Sequence, residues 1–429
     1  MRNETRPIYR LPPEILAAVI EFYQSEEIVD YHQKAYDWVR FMLVSRTWRA
    51  TILSFPSLWS RLVASGSISQ SDMLTIVERS GSHLLRVSIP HPAPWTSERR
   101  SVRYKHVDLV AGLLPRTSQL AITTPGHYDT LRIYHAFKNR PANQLRRLSI
   151  TVGSRFKLLD ELFVLDSPRL TSLHLASVKS WPAHIAGNLT HIRLDYTLNA
   201  ETLERDLKHS PRLKQIKIYR VHDLEQFRNR PKISLNPGTQ LIIMDSHSTV
   251  ASIFGFGSTN HLSITKTVPA KELSITSFLE LTLPRNIWYF RNLDGITEVH
   301  LEIIDTGRYT HTCGYRIIAM VLRCFTEDRE TLHINLNYSL SSLRSPYTIP
   351  ERPPAMNVLD CLRPLDLGKV VELRMKGFVG EWGLHYFELF DFLQRMQGLR
   401  HIKTGDNNRK IFWSVLDIME RITSVVVGV

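Results

Sequence analysis

One arrangement of apolar and polar positions returns along the chain from Leu84 onward: an apolar residue, two others, an apolar residue, one other, an apolar residue. Clear copies are Leu84/Val87/Ile89, Leu145/Leu148/Ile150, Leu170/Leu173/Leu175, Leu189/Ile192/Leu194 and Leu213/Ile216/Ile218. Later ones are Phe278/Leu281/Leu283, Ile296/Val299/Leu301, Val370/Leu373/Met375, Leu399/Ile402/Thr404 and Ile422/Val425/Val427. Partial copies occur at Leu120/Ile122, Leu262/Ile264, Leu273/Ile275 and Leu332/Ile334/Leu336. Alternate side chains of a strand face opposite sides, so each phrase predicts a short strand with one buried face. Between phrases, apolar residues fall at helical spacing: Leu158/Leu159/Leu162/Phe163, Leu198/Leu203/Leu207, Ile317/Ile318/Val321/Leu322, Tyr386/Phe387/Phe390/Leu393 and Phe412/Val415/Leu416/Met419. Strand and helix in alternation predict an α/β fold of parallel strands with right-handed crossovers, each unit burying its apolar face against its neighbours. A single doubly wound α/β domain would use similar elements. Proline-dense stretches at His91 to Arg103 and Ser341 to Asn357 predict loops that interrupt the array.

The first sixty or so residues follow a helical period instead. Leu11-Pro12-Pro13-Glu14 is a helix start, because proline suits the first turn and an acidic residue there favours the positive end of the helix dipole. Ile15, Leu16, Val19, Ile20 and Tyr23 continue it as an apolar stripe. A second helix is predicted from about Asp37 to Leu53. It carries Phe41, Val44, Trp48 and Ile52 on one line and Trp38, Met42 and Leu43 on another, more apolar surface than a short helix hides within its own small domain. Phe55-Pro56-Ser57-Leu58-Trp59 closes the region as an apolar corner. The same leucines and tryptophans would equally serve a helical cap over the first strand of the following domain.

The segments LPPEIL, LVSRTWR and PSLWSRL, in that order, resemble the F-box, in the form common among fungal proteins. The F-box docks a target-recognition protein onto the Skp-type adaptor of cullin-RING ubiquitin ligases. The resemblance covers about Leu11 to Leu62 and implies that Leu11, Pro12, Ile15, Leu16, Val44 and Trp48 contact the adaptor. The segment Gln24 to Tyr36 is longer than in compact F-boxes. The strand phrases resemble the leucine-rich repeats that commonly follow an F-box, with starts 25, 19 and 24 residues apart from Leu145 to Leu213. The family's ladder residue, Asn or Cys three places after the last strand leucine, is present as Asn286 and Asn407 but is Gly153, Val178, Thr197 and Val221 elsewhere. Together the resemblances imply an F-box-like helical domain at residues 8–62 and an irregular leucine-rich-repeat-like αβ solenoid at 63–429. They imply a non-enzymatic substrate-recognition subunit of a ubiquitin ligase, with an adaptor, a cullin complex and a protein target as partners.

Charge adds a bias. The 429 residues carry 54 Lys plus Arg against 41 Asp plus Glu, a net +13, which favours acidic partners without choosing among them. Residues between the apolar strand positions point away from the core, and several are basic or imidazole: His174, Arg193, Lys217, His300, Arg374 and Lys403. On neighbouring parallel strands about 4.8 Å apart, Arg193 and Lys217 could together receive a carboxylate or phosphate of an acidic or phosphorylated target. The alternative is an ordinary solvated strand surface on a basic protein. Without a helix-turn-helix, zinc or RNA-recognition signature, nucleic acid is expected only as a nonspecific, salt-sensitive ligand, and a scaffold outside any ligase is the other alternative.

No stretch approaches the roughly 18 apolar residues of a membrane helix, so no membrane span is expected. The opening MRNETRPIYR places charges where a signal peptide has its apolar run, and a reducing compartment, cytoplasmic or nuclear, is the expectation. Cys313, Cys324 and Cys361 are too few for a disulfide framework and are read as buried thiols. Gly255-Phe256-Gly257 supplies two glycines of a nucleotide fingerprint and is read as a turn; His311 and Cys313 lack a second ligand pair; no GxSxG elbow is present. Catalysis, a metal and a cofactor are therefore not expected.

Overall fold

Alternation of buried and exposed residues carries directly into strands in the computed structural model, which describes residues 11–26, 36–65, 68–90, 97–124, 127–138, 140–157, 168–180, 187–196, 200–221, 232–245, 250, 254–255, 260–269, 298–309, 315–326, 329–341, 367–376, 393–404 and 424–427. The chain divides into two compact units, Met1–Thr190 and His191–Val429. Both are mixed α/β and built on mainly parallel sheets.

The first unit opens with α1 (Pro13–Glu26), a 3-10 turn at Asp37–Leu43, α2 (Arg46–Ser54) and a second 3-10 turn at Pro56–Trp59. Strand β1 (Arg61–Val63), α3 (Gln70–Arg79), β2 (Leu85–Ile89) and α4 (Ser97–Leu113) follow, then β3 (Thr117–Thr124), α5 (His127–Phe137), β4 (Arg147–Lys157) and β5 (Ser172–Ser180). The strands pair in parallel in chain order, β1-β2-β3-β4-β5. Register aligns Leu62, Val87, Leu120, Leu148 and Leu173 in one row. All five are buried, each contributing roughly 1.5–3 kcal/mol relative to exposure.

Two expectations fail here for local reasons. The helix expected from Asp37 to Leu53 is two elements, because Ser45 adopts extended backbone and its hydroxyl accepts from the Trp48 N–H at 3.3 Å, capping a new helix. The stretch from His91 to Arg103 is not all loop: α4 begins at Ser97, and Val107, Val110, Ala111 and Leu114 bury a stripe at helical spacing.

The second unit contains β6 (His191–Asp195), α6 (Ala200–His209), β7 (Gln215–Tyr219), β8 (Ile233–Ser234), β9 (Gln240–Met244), β10 (Phe254–Gly255) and β11 (His261–Pro269). It continues with β12 (Glu298–Tyr309), β13 (Tyr315–Thr326), β14 (Arg329–Ser341), β15 (Glu372–Lys376), β16 (His401–Thr404) and β17 (Ser424–Val427). Strand order is β6-β7-β9-β11-β14-β13-β12-β15-β16-β17, with β8 and β10 forming a separate parallel pair. Gly255, expected in a turn, is thus a strand residue. One apolar row crosses the whole sheet: Ile192, Ile216, Leu241, Leu262, Leu332, Cys324, Val299, Leu373, Ile402 and Val425. Cys324 is a buried thiol in this row, and burial pushes its pKa up. The helix expected at Ile317/Ile318/Val321/Leu322 is instead part of β13, which pairs antiparallel with β12 and β14. An all-parallel array is therefore interrupted by an antiparallel meander.

Turns before the strands repeat as well. Leu213 N–H donates to Ser210, Thr239 to Asn236, Val370 to Leu367 and Leu399 to Met396, each at 3.0–3.1 Å. The side chain of Asn236 donates to the Ser210 carbonyl at 2.9 Å, and that of Asn260 to the Asn236 carbonyl at 2.8 Å, tying one turn to the next. Bridging asparagines therefore precede the strands. Among the expected ladder sites, Asn286, Asn407 and Thr197 lie outside the described residues, as do the phrases at Leu273 and Phe278, the helical stretches at Leu158–Phe163, 386–390 and 412–419, and Cys313 and Cys361. Gly398 donates its N–H to the Gly368 carbonyl at 2.9 Å, and a Cβ there would lie 2.8 Å from that oxygen, so this close approach requires glycine.

Candidate functional site

The helical opening has its own core. Leu16, Ile20, Trp38, Trp48, Ile52, Leu58 and Trp59 are all buried. Trp38 meets Trp59 edge-on with ring centroids 5.0 Å apart, and Phe41 lies 5.4 Å from Trp48. The Gln24 side chain donates to the Leu58 carbonyl at 3.1 Å, and Arg61 donates to the Gln24 carbonyl, which fastens the end of α1 to the start of β1.

That leaves a second apolar face. Ile15, Val19 and Phe22 recur at helical spacing on α1 and are exposed, as are Leu11 just before the helix and Tyr23, Leu43, Val44 and Leu53. Eight of the eleven large apolar side chains exposed among the described residues thus fall between Leu11 and Leu53, which concentrates exposed apolar surface on one small region. Of the six residues expected to contact an adaptor, Leu11, Pro12, Ile15 and Val44 are exposed. Leu16 and Trp48 are 1% and 5% exposed and belong to the interior, so a partner could not touch them in this conformation. The α1 stripe read as one set is two: Leu16 and Ile20 face in, Ile15 and Val19 face out.

The basic strand positions also fall as the alternation requires. Arg193 is opposite Lys217, and His300 is opposite Arg374, which is opposite Lys403. In the first unit His174 stands opposite Ser149 and receives or gives a hydrogen bond at 2.9 Å between Ser149 Oγ and its Nδ1. Charge, however, is largely consumed within the second unit's sheet. Arg193 grips Asp195 through two nitrogens, Nε to Oδ1 and Nη2 to Oδ2 both at 2.9 Å, which raises its pKa. Arg193, expected to share an external anion with Lys217, already holds a carboxylate two residues away on its own strand.

Glu372 does the same to the other cluster. Lys403 Nζ lies 2.8 Å from its carboxylate and Arg374 Nε 2.5 Å. Burial opposes the charged form of Glu372, yet hydrogen bonds from Lys403 and then Arg374 outweigh it and hold the carboxyl at about 2. Because the folded pKa lies below the unfolded value of about 4.3, the stabilisation is present above that pH and is lost as pH falls through about 2. Glu372→Gln should cost about 1 kcal/mol or less near neutrality, since both cations are half exposed, and the difference from the wild-type chain should vanish at the acid end of a pH series of urea melts.

Sequence reasoning missed a second outward row in the first unit, which holds Arg86 and Arg147. Each strand phrase has two outward residues, and the basic positions named from the sequence are all the second of them. The first set in the first unit is Arg61, Arg86, Gln119, Arg147 and Ser172, aligned strand to strand. Strict alternation on either side of Val87 and Leu148 would have found Arg86 and Arg147. Among the described residues there is no group of three or more His, Cys, Asp or Glu able to hold a metal ion, and no helix long and apolar enough to cross a membrane. No protein-family model matches the chain, and no curated protein matches it either.

Proposed function

We propose that the chain is the substrate-recognition subunit of a Skp-cullin-F-box type ubiquitin ligase, with an F-box-like opening and a leucine-rich-repeat-like solenoid behind it. The observation that carries this reading is the outward stripe of Leu11, Ile15 and Val19 together with Leu43 and Val44: apolar surface left over after the helical core is complete. It coincides with the LPPEIL and LVSRTWR segments that resemble the F-box. Such a subunit makes and breaks no bond. It raises the effective concentration of target lysines near a charged ubiquitin carrier, and binding at two places on one chain is sufficient for that.

The test uses exposed positions, because Leu16 and Trp48 are core. Ile15→Asp with Val44→Asp should abolish co-purification with a co-expressed Skp-type adaptor while leaving the thermal midpoint within about 2 °C, since surface changes cost little stability. A wild-type chain that emerges monodisperse without adaptor, or a double variant that still captures it, would remove the ligase reading and leave a scaffold outside any ligase.

A further inference from the structure

The first unit's sheet forms the floor of a half-open cavity of about 420 Å³, closed on one side by the end of α1. Its lining includes Arg61, Arg86, Gln119, Arg147 and the hydrogen-bonded pair Ser149 and His174. Register places Arg86 on β2 opposite Gln119 on β3, and Gln119 opposite Arg147 on β4. The two arginine backbones are thus two strand spacings apart, about 10 Å. Both side chains are exposed, and neither guanidinium has a partner among the described residues. That separates them from Arg193 and Arg374, whose charge is answered by Asp195 and Glu372.

We propose that this cavity binds an extended acidic segment of a partner protein, in which carboxylates at alternate positions pair with Arg86 and Arg147 and the backbone between them hydrogen-bonds to Gln119. The geometry supports each part. Alternate side chains of an extended peptide lie on one face about 6.7 Å apart, a span two flexible arginines rooted about 10 Å apart can bracket. A guanidinium presents two parallel N–H donors that match the two oxygens of a carboxylate. Shape and charge also disfavour a nucleic-acid strand. Among the described residues no Phe, Tyr or Trp lines the cavity to stack a base, and Glu21 stands on its α1 side, where a continuous polyanion would meet repulsion. Glu21 further orients the peptide: the acidic pair lies over β2 to β4, and the part crossing toward β1 and α1 is neutral or basic.

This gives chemical form to the target half of the function proposed above and does not depend on the adaptor half. The purified full chain is titrated into a labelled decapeptide with a Glu-Ser-Glu core, into its Gln-Ser-Gln counterpart, into one with phosphoserine in place of the acidic pair, and into a single-stranded oligonucleotide. The Glu-Ser-Glu peptide should bind at least tenfold more tightly than Gln-Ser-Gln. Arg86→Gln with Arg147→Gln should erase that difference, and Lys105→Gln, an exposed charge on α4, should leave it intact. Equal binding of the two peptides, an equal loss in the Lys105 variant, a preference for phosphoserine alone, or an oligonucleotide that binds more tightly through the same arginines would each overturn the proposal. Adaptor capture by the arginine double variant separates the two failures: it should persist whichever way the peptide result falls.

Discussion

Trp59→Ala should lower the unfolding free energy of the first unit by about 3–5 kcal/mol, the cost of emptying a large aromatic from a closed core. Trp59 is 3% exposed and joins three elements. Its indole N–H donates to the Ile52 carbonyl at the end of α2 at 2.8 Å, its ring packs edge-on against Trp38, and the Arg79 guanidinium at the end of α3 lies 4.4 Å over its face. Alanine removes all three together, and the hole cannot close because Leu58, beside it in sequence, and Ile52, whose carbonyl it bonds, are already fully buried. Urea unfolding followed by circular dichroism measures the change. Leu74→Ala on the exposed side of α3 should cost under about 0.5 kcal/mol and serves as the comparison. A Trp59 cost as small as that of Leu74 would mean that the helical opening has no core of its own, and the outward stripe on α1 would lose its meaning as surplus surface.

How the opening divides into inside and outside is also where sequence and structure part company. Helical spacing identified the apolar residues of α1, but two stripes offset by one residue, Leu16/Ile20 and Ile15/Val19, are indistinguishable by hydrophobicity alone. Which faces in is decided by what packs against α1, namely α2 and the two 3-10 turns. The strand phrases were more legible, because alternation ties each apolar residue to one face and parallel pairing in register then stacks Leu120, Leu148 and Leu173 without further choice. Residues 317–322 failed the same test for a physical reason. A run of Ile, Ile, Ala, Met, Val and Leu satisfies both a helix and a strand paired on both sides, and only the neighbours β12 and β14 decide. Charge misled differently. Arg193 has the type and face of an available cation, whereas Asp195, the carboxylate at the next same-face position, neutralises it.

Tyr36→Phe should cost the first unit about 1–3 kcal/mol while removing one oxygen atom, the penalty for leaving a buried backbone donor unanswered. Strand β1 pairs with β2 on one side, and the N–H of Val63 points to the other. There the Tyr36 hydroxyl accepts from that N–H at 2.8 Å and donates to the Val63 carbonyl at 3.4 Å, so a single side chain closes what would be a bare strand position. Phenylalanine preserves the ring and its packing but offers no acceptor. Burial pushes the Tyr36 hydroxyl up to about 12, against the lowering influence of the Val63 backbone and of Arg61. With a folded value above the unfolded one of about 10, the stabilisation is complete below pH 10 and disappears as pH rises through about 12. The wild-type chain and the Tyr36→Phe variant should therefore differ by a constant amount from about pH 6 to 9 and converge in strong alkali. Amide exchange locates the effect: the Val63 N–H should lose protection in the variant while the Val87 N–H on β2 keeps it. Equal loss at both amides would show global destabilisation, and no loss at Val63 would show that something other than Tyr36 seals this strand.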